Sequence, residues 1–137
     1  MNPACVDTNV ILRFLTREPP DMAQQALALF TAVQEGDITL ILEEIVLAEV
    51  VWVLQSFYKH SPEEISSVLQ ELVNYPGIVC EHKSVILIAL RLFASKNLDF
   101  VDAMITAHMV KKGVSDIYSF DTHFDRLPGI TRLKPGE

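Results

Sequence analysis

The chain reads as an α/β domain with a mostly parallel sheet of about five strands, covered by helices on both faces. Two features predict this. Short apolar runs of strand length alternate with longer segments whose apolar residues recur at helical spacing, the pattern of parallel strands joined by crossover helices. Half of the 137 residues are hydrophobic and the mean hydropathy is +0.27, enough for one domain with its own core and unlike a disordered chain. We find no internal repeat, linker or low-complexity segment, so residues 1–137 are expected to form a single domain.

Ala4-Cys5-Val6 is short and apolar and reads as a buried strand, residues 3–6. Asp7-Thr8-Asn9 are residues of the type that cap helices. Val10, Ile11, Phe14 and Leu15 then recur at helical spacing and predict a helix over 9–16, ending before Pro19-Pro20. Asp21 is the expected N-cap of a second helix through Ala26, Leu27, Leu29, Phe30 and Val33, with Gly36 as its stop. Ile38 to Leu42 is strand-like. Glu43-Glu44 opens a third helix over 45–58, with Lys59-His60 at its end, where positive charge suits the macrodipole. Ser61-Pro62-Glu63-Glu64 places Ser at N-cap, Pro at N1 and Glu at N3, a capping box for a helix running to Val73. Asn74-Tyr75-Pro76-Gly77 is a turn into a third strand, Ile78-Val79-Cys80. Helices over 83–95 and 99–112 follow, the second stopped by Gly113. Asp116 to Phe120 is a fourth strand, Asp121 to Arg126 a short turn or helix, and Ile130 to Leu133 a last edge strand.

Composition removes several function classes. No apolar run approaches the roughly 18–20 residues of a membrane span. The first residues carry neither a basic nor an apolar signal region, so a cytoplasmic protein is expected. Cys5 and Cys80 are the only cysteines, and read as buried free thiols in a reducing compartment. A net charge of −7 and a pI of about 5.0 argue against nucleic-acid binding through a broadly basic surface.

Four carboxylates stand out. Asp7 follows the first strand, at the C-terminal end where open parallel sheets bind ligands; it also reads as the cap of the first helix. Glu49 is the single charge in Ile45 to Leu54, a helix apolar enough to be buried over most of its surface, where a carboxylate is costly unless paired or bound to a metal. Asp102 sits at N3 of the helix opened by Asp99, and Asp121 ends the fourth strand much as Asp7 ends the first. For Asp99 capping is the fuller explanation, and Asp125 reads as a surface acid.

Two strand ends, one buried helix and one helix start predict convergence on one crevice. Carboxylates so clustered repel unless a cation is present, and oxygen-only ligands suit Mg²⁺ or Mn²⁺ rather than zinc. His60, His82, His108 and His123 show no metal-ligand spacing and read as surface or core side chains, although His123 lies close to Asp121. A carboxylate-held Mg²⁺ site performs phosphate chemistry, by acidifying a water and neutralising phosphoryl charge. That points to phosphodiester hydrolysis. Two divalent ions would offset more than half of the net charge, leaving Arg13, Arg17, Lys111, Lys112, Arg126, Arg132 and Lys134 as local phosphate contacts.

These pieces together resemble the PIN domain, and specifically the VapC-type toxins of bacterial toxin–antitoxin pairs. The resemblance rests on Val6-Asp7-Thr8-Asn9-Val10, on Leu47-Ala48-Glu49-Val50-Val51-Trp52-Val53-Leu54, on Asp99-Phe100-Val101-Asp102-Ala103, on Ser119-Phe120-Asp121-Thr122-His123-Phe124 and on Leu127-Pro128-Gly129-Ile130. It covers essentially the whole chain. It implies a three-layer α/β/α sandwich and a Mg²⁺-dependent endoribonuclease with Asp7, Glu49, Asp102 and Asp121 as catalytic and metal-binding residues, Thr8 supporting the site through its hydroxyl. It further implies an RNA substrate, a homodimer, and inhibition by a cognate antitoxin. The fourth strand departs from the family's more usual Thr-x-Asp, with Ser119 keeping the hydroxyl. Other readings remain: a phosphatase or phosphotransfer domain with Asp7 as nucleophile, which Asn9 in place of a second aspartate disfavours; a catalytically silent PIN-fold module that binds RNA or protein; and a standalone PIN nuclease with no antitoxin.

Overall fold

The computed structural model describes residues 2–137, which form two compact units, one ending at Lys83 and the other starting at Ser84. The first unit runs β1 (Ala4–Cys5), α1 (Thr8–Thr16), α2 (Pro20–Gln34), β2 (Leu40–Ile41), α3 (Glu44–Ser56), α4 (Pro62–Val73) and β3 (Ile78–Val79). Its three strands form a parallel sheet in the order β1-β2-β3, with Cys5 opposite Ile41 and Ile41 opposite Val79. Each helix buries one stripe: Ile11 and Leu12 of α1, Phe30 and Val33 of α2, Leu47, Val50, Val51 and Leu54 of α3, Ile65, Leu69, Leu72 and Val73 of α4. These positions recur at three- and four-residue intervals, as a helix with one inward face requires. α1 packs on α2 and α3, and Phe14 stacks on Phe30 with ring centroids 4.4 Å apart.

Gly77 locks this unit together. Its N–H donates to the Val33 carbonyl at 2.9 Å, and its own carbonyl accepts from Leu40 N at 2.7 Å. A side chain there would run into the carbonyl oxygens of Val33 and Ile38. Only glycine lets the end of α2 and the approach to β2 lie so close to the turn before β3.

The second unit runs α5 (Lys83–Ser95, whose first residue falls in the first unit), α6 (Phe100–Lys112), β4 (Asp116–Tyr118), a 3-10 helix (Thr122–Arg126) and β5 (Thr131–Leu133). β4 and β5 pair in parallel, Ile117 opposite Arg132. Phe93 of α5 meets Phe100 of α6 edge-on, centroids 5.8 Å apart. Buried Val85, Ile86, Ala89, Leu90, Ala103 and Ala107 extend that apolar stripe on both helices.

The α/β class and the parallel strands are as expected, the five strands dividing three and two. No helix among the described residues is long and apolar enough to cross a membrane. The capping box forms as the sequence predicts: Glu64 N donates to Ser61 Oγ, and Ser61 N donates back to Glu64 Oε1, each at 3.2 Å. Three expectations fail. β1 is exposed rather than buried, with only the following Val6 buried; it is two residues long and an edge of its sheet, so pairing covers one side only. Cys5 is exposed with it, while Cys80 is half-buried, and burial pushes the Cys80 thiol up; both thiols are free as expected. Asp21 lies in the first turn of α2 rather than at its cap, because Pro19-Pro20 start the helix and proline tolerates the first turn.

Candidate metal centre

β4 ends in a hydroxyl-pinned turn. Asp121 N donates to Ser119 Oγ at 2.9 Å, which bends the chain out of the strand. Asp121 then caps the 3-10 helix, its Oδ1 accepting from His123 N at 2.8 Å. Phe120 points to solvent, 80% exposed, so its bulk leaves the turn undisturbed. Buried Phe124 and Leu127 anchor the loop from below. On its far side Arg132 forks onto Asp125, with Nε to Oδ1 at 3.0 Å and Nη2 to Oδ2 at 3.2 Å, and reaches the Ser119 carbonyl through Nη1 at 3.1 Å.

α6 delivers the second carboxylate. Asp99 is its N-cap, as expected, with Oδ1 accepting from Asp102 N at 3.0 Å. That bond fixes the first turn and leaves the half-buried Asp102 side chain free of the capping role. Asp102, Asp121 and His123 each offer a ligand atom, and these atoms all lie within 4.8 Å of one another. His123 Nδ1 lies 3.0 Å from Asp121 Oδ1. Burial holds the Asp102 carboxyl above the ordinary carboxylate range, the Asp99 and Asp121 carboxylates raise it further, and His123 pulls the other way. Loss of hydration and like charge both disfavour the carboxylate there, and a divalent cation would reverse both.

Asp7 and Glu49 belong to the first unit, and no group of three or more metal-ligating side chains among the described residues includes either. Asp7 is the N-cap of α1, its Oδ1 accepting from Thr8 N at 2.7 Å, while Thr8 itself is buried. Glu49 overturns the burial argument made for it: it is exposed, on the same stripe of α3 as Ile45 (81% exposed) and Trp52 (67%). A helix can be apolar nearly all round and still bury only one stripe, here Leu47, Val50, Val51 and Leu54. His123, expected as a surface or core side chain close to Asp121, is exposed and joins the group of Asp102 and Asp121. Its signal was the Asp-x-His spacing at a strand end. Of the basic residues, Arg13 donates to Tyr58 Oη at 3.2 Å and Arg132 is taken up by Asp125; Arg17, Lys111, Lys112, Arg126 and Lys134 are exposed.

Residues 4–130 match the PIN domain family. This chain belongs to that family. As a PIN domain it is similar to the VapC ribonuclease of Aquifex aeolicus (strain VF5), 27% identical over 132 residues that make up 96% of each chain. It is also similar to a chain in the crystal structure of VapBC2 from Rickettsia felis bound to a DNA fragment from their promoter, with 18% identity, a TM-score of 0.40, and coverage of 97% of this chain and 98% of that one. At that score the second likeness adds nothing to the assignment as a PIN domain.

Proposed function

We propose that residues 1–137 form a single PIN domain that is a metal-dependent endoribonuclease, the toxin of a toxin–antitoxin pair, hydrolysing RNA phosphodiester bonds. The observation that carries this reading is the meeting of Asp102 and Asp121, from a helix start and a strand end, with the Asp102 carboxyl raised by burial and by its acidic neighbours. The carboxylate-oxygen donors fit Mg²⁺ or Mn²⁺. Asp7, Glu49, Asp102 and Asp121 are the proposed ligands. A bound divalent ion would supply a water acidic enough to attack at neutral pH and would neutralise charge developing on the phosphoryl oxygens.

The chain's own residues do the positioning. Asp99 and Ser119 hold the two carboxylate-bearing turns through the bonds already described. Exposed Arg17, Lys111, Lys112, Arg126 and Lys134 are the basic side chains left for RNA phosphates, since Arg13 and Arg132 are engaged within the protein. The likeness to a VapC ribonuclease supports the toxin reading, and with it a cognate antitoxin as partner and a homodimer. Exposed Ile45 and Trp52 on α3 supply apolar surface for such an interface.

The test is cleavage of a mixed RNA pool with Mg²⁺ or Mn²⁺ and with EDTA. Cutting is expected with either ion and is expected to vanish in EDTA and in Asp102→Asn. Cutting that survives EDTA would overturn the metal-dependent mechanism.

A further inference from the structure

We infer that His123 is itself a ligand of the divalent-metal site, donating through Nδ1 beside the carboxylates of Asp102 and Asp121, and that its nitrogen biases the site toward Mn²⁺ over Mg²⁺. The inference rests on the metal-dependent reading above and extends it to a residue outside the four carboxylates.

Geometry comes first. Adjacent ligands of an octahedral ion with bonds of about 2.1 Å lie about 3 Å apart. His123 Nδ1 and Asp121 Oδ1 are 3.0 Å apart, and Asp102, Asp121 and His123 each offer a ligand atom within 4.8 Å of the other two. Asp102, Asp121 and His123 are thus the side chains that would hold a single ion there.

The local fold supplies the placement. Asp121 Oδ1 accepts from the His123 backbone N–H, so the carboxylate and the imidazole are held to the same side of one turn. The next residue, Phe124, is buried at 3% exposure and fixes that turn to the core. The His123 and Asp121 side chains remain 46% and 40% exposed, open to an incoming ion and substrate. A neutral ring would offer its Nδ1 lone pair to an ion at that place.

Chemistry sets the preference. Mg²⁺ favours oxygen ligands and keeps its waters, whereas Mn²⁺ stands higher in affinity for mixed nitrogen and oxygen sites. Sequence alone offered an all-oxygen site; the imidazole changes the class of ion it suits.

The experiment is pulsed electron paramagnetic resonance on the Mn²⁺-loaded protein, joined to calorimetric titration of Mn²⁺ and Mg²⁺. Wild type is expected to show ¹⁴N modulation of the Mn²⁺ echo. His123→Ala is expected to lose that modulation while still binding Mn²⁺ about tenfold or more weakly, with Mg²⁺ affinity falling by less than about threefold. Modulation absent from wild type, or persisting in His123→Ala, would overturn the inference. So would equal losses for the two ions, the signature of a histidine that only positions Asp121. If wild type binds no divalent ion, the metal-dependent function falls along with it, and the two failures are thereby told apart.

Discussion

Asp7 and Asp121 hold the same local position and keep different company. Each follows a short strand paired in parallel, and each is an N-cap. Each gives Oδ1 to a backbone N–H, Thr8 at 2.7 Å and His123 at 2.8 Å. Asp7, however, leads into a nine-residue helix with Ile11 and Leu12 buried, whereas Asp121 leads into a five-residue 3-10 helix and has Asp102 and His123 at ligand distance. Capping and ligation are therefore not competing explanations of one aspartate. A cap needs one oxygen and one N–H. Whether the carboxylate also serves a metal depends on which other side chains tertiary structure brings to it.

Asparagine separates the two roles, because it caps about as well as aspartate and carries no charge. Asp121→Asn is expected to slow RNA hydrolysis by about 10²–10³, the equivalent of several kcal/mol of transition-state stabilisation, with its urea midpoint close to wild type. Asp7→Asn is expected to behave alike. Cleavage at the wild-type rate by Asp7→Asn alone would reduce Asp7 to a cap and break the pairing of the two sites.

Alanine probes the caps themselves, with a smaller effect. Asp7→Ala is expected to lower stability in urea unfolding by about 1 kcal/mol. Asp121→Ala should lose less, because its cap serves a single short turn and its removal relieves the repulsion on Asp102. The reverse order would mean that the ligand loop, rather than α1, limits the stability of the fold.

The Ser61–Glu64 box is a reference cap with no proposed metal role, and its effect is the smallest. Hydrogen bonds to the Ser61 backbone and hydroxyl hold the Glu64 carboxyl below its ordinary value of 4.5. A depressed folded pKa adds stability above the unfolded value and forfeits it as pH falls through the folded one. Glu64→Gln should thus lower the melting temperature slightly at pH 7 and leave it unchanged well below pH 4.5. A difference that grew on acidification would contradict the sign.

Helix ends were the most legible part of the fold. Ser61-Pro62-Glu63-Glu64, Asp99 and Gly113 all act where the sequence placed them, because a cap is a contract between residues three or four apart. Burial was less legible. Cys5 and Glu49 were expected inside on the strength of apolar neighbours, yet the first lies on an edge strand and the second on the outer stripe of α3. An apolar run states that some face is buried; which face, and whether a strand is central, depends on segments far away in sequence. At the candidate site Asp102 and Asp121 were legible as a helix start and a strand end. His123 was not, because no regular period links it to Asp102, and only the folded turn brings them together.

Arg132 gives the ligand loop a dependence on ionic strength. Its guanidinium, with a side chain only 12% exposed, grips the Asp125 carboxylate and the Ser119 carbonyl, the two residues that bracket Asp121 and His123. The grip on Ser119 is a partly buried bond to backbone and is little affected by salt. The grip on Asp125 is an ion pair whose acidic half lies at the surface, where mobile ions weaken it. One end of the loop is thus moored independently of the medium, while the other loosens as salt rises. Ionic strength reaches the spacing of Asp121 and His123 through this arginine, without any ion binding between them.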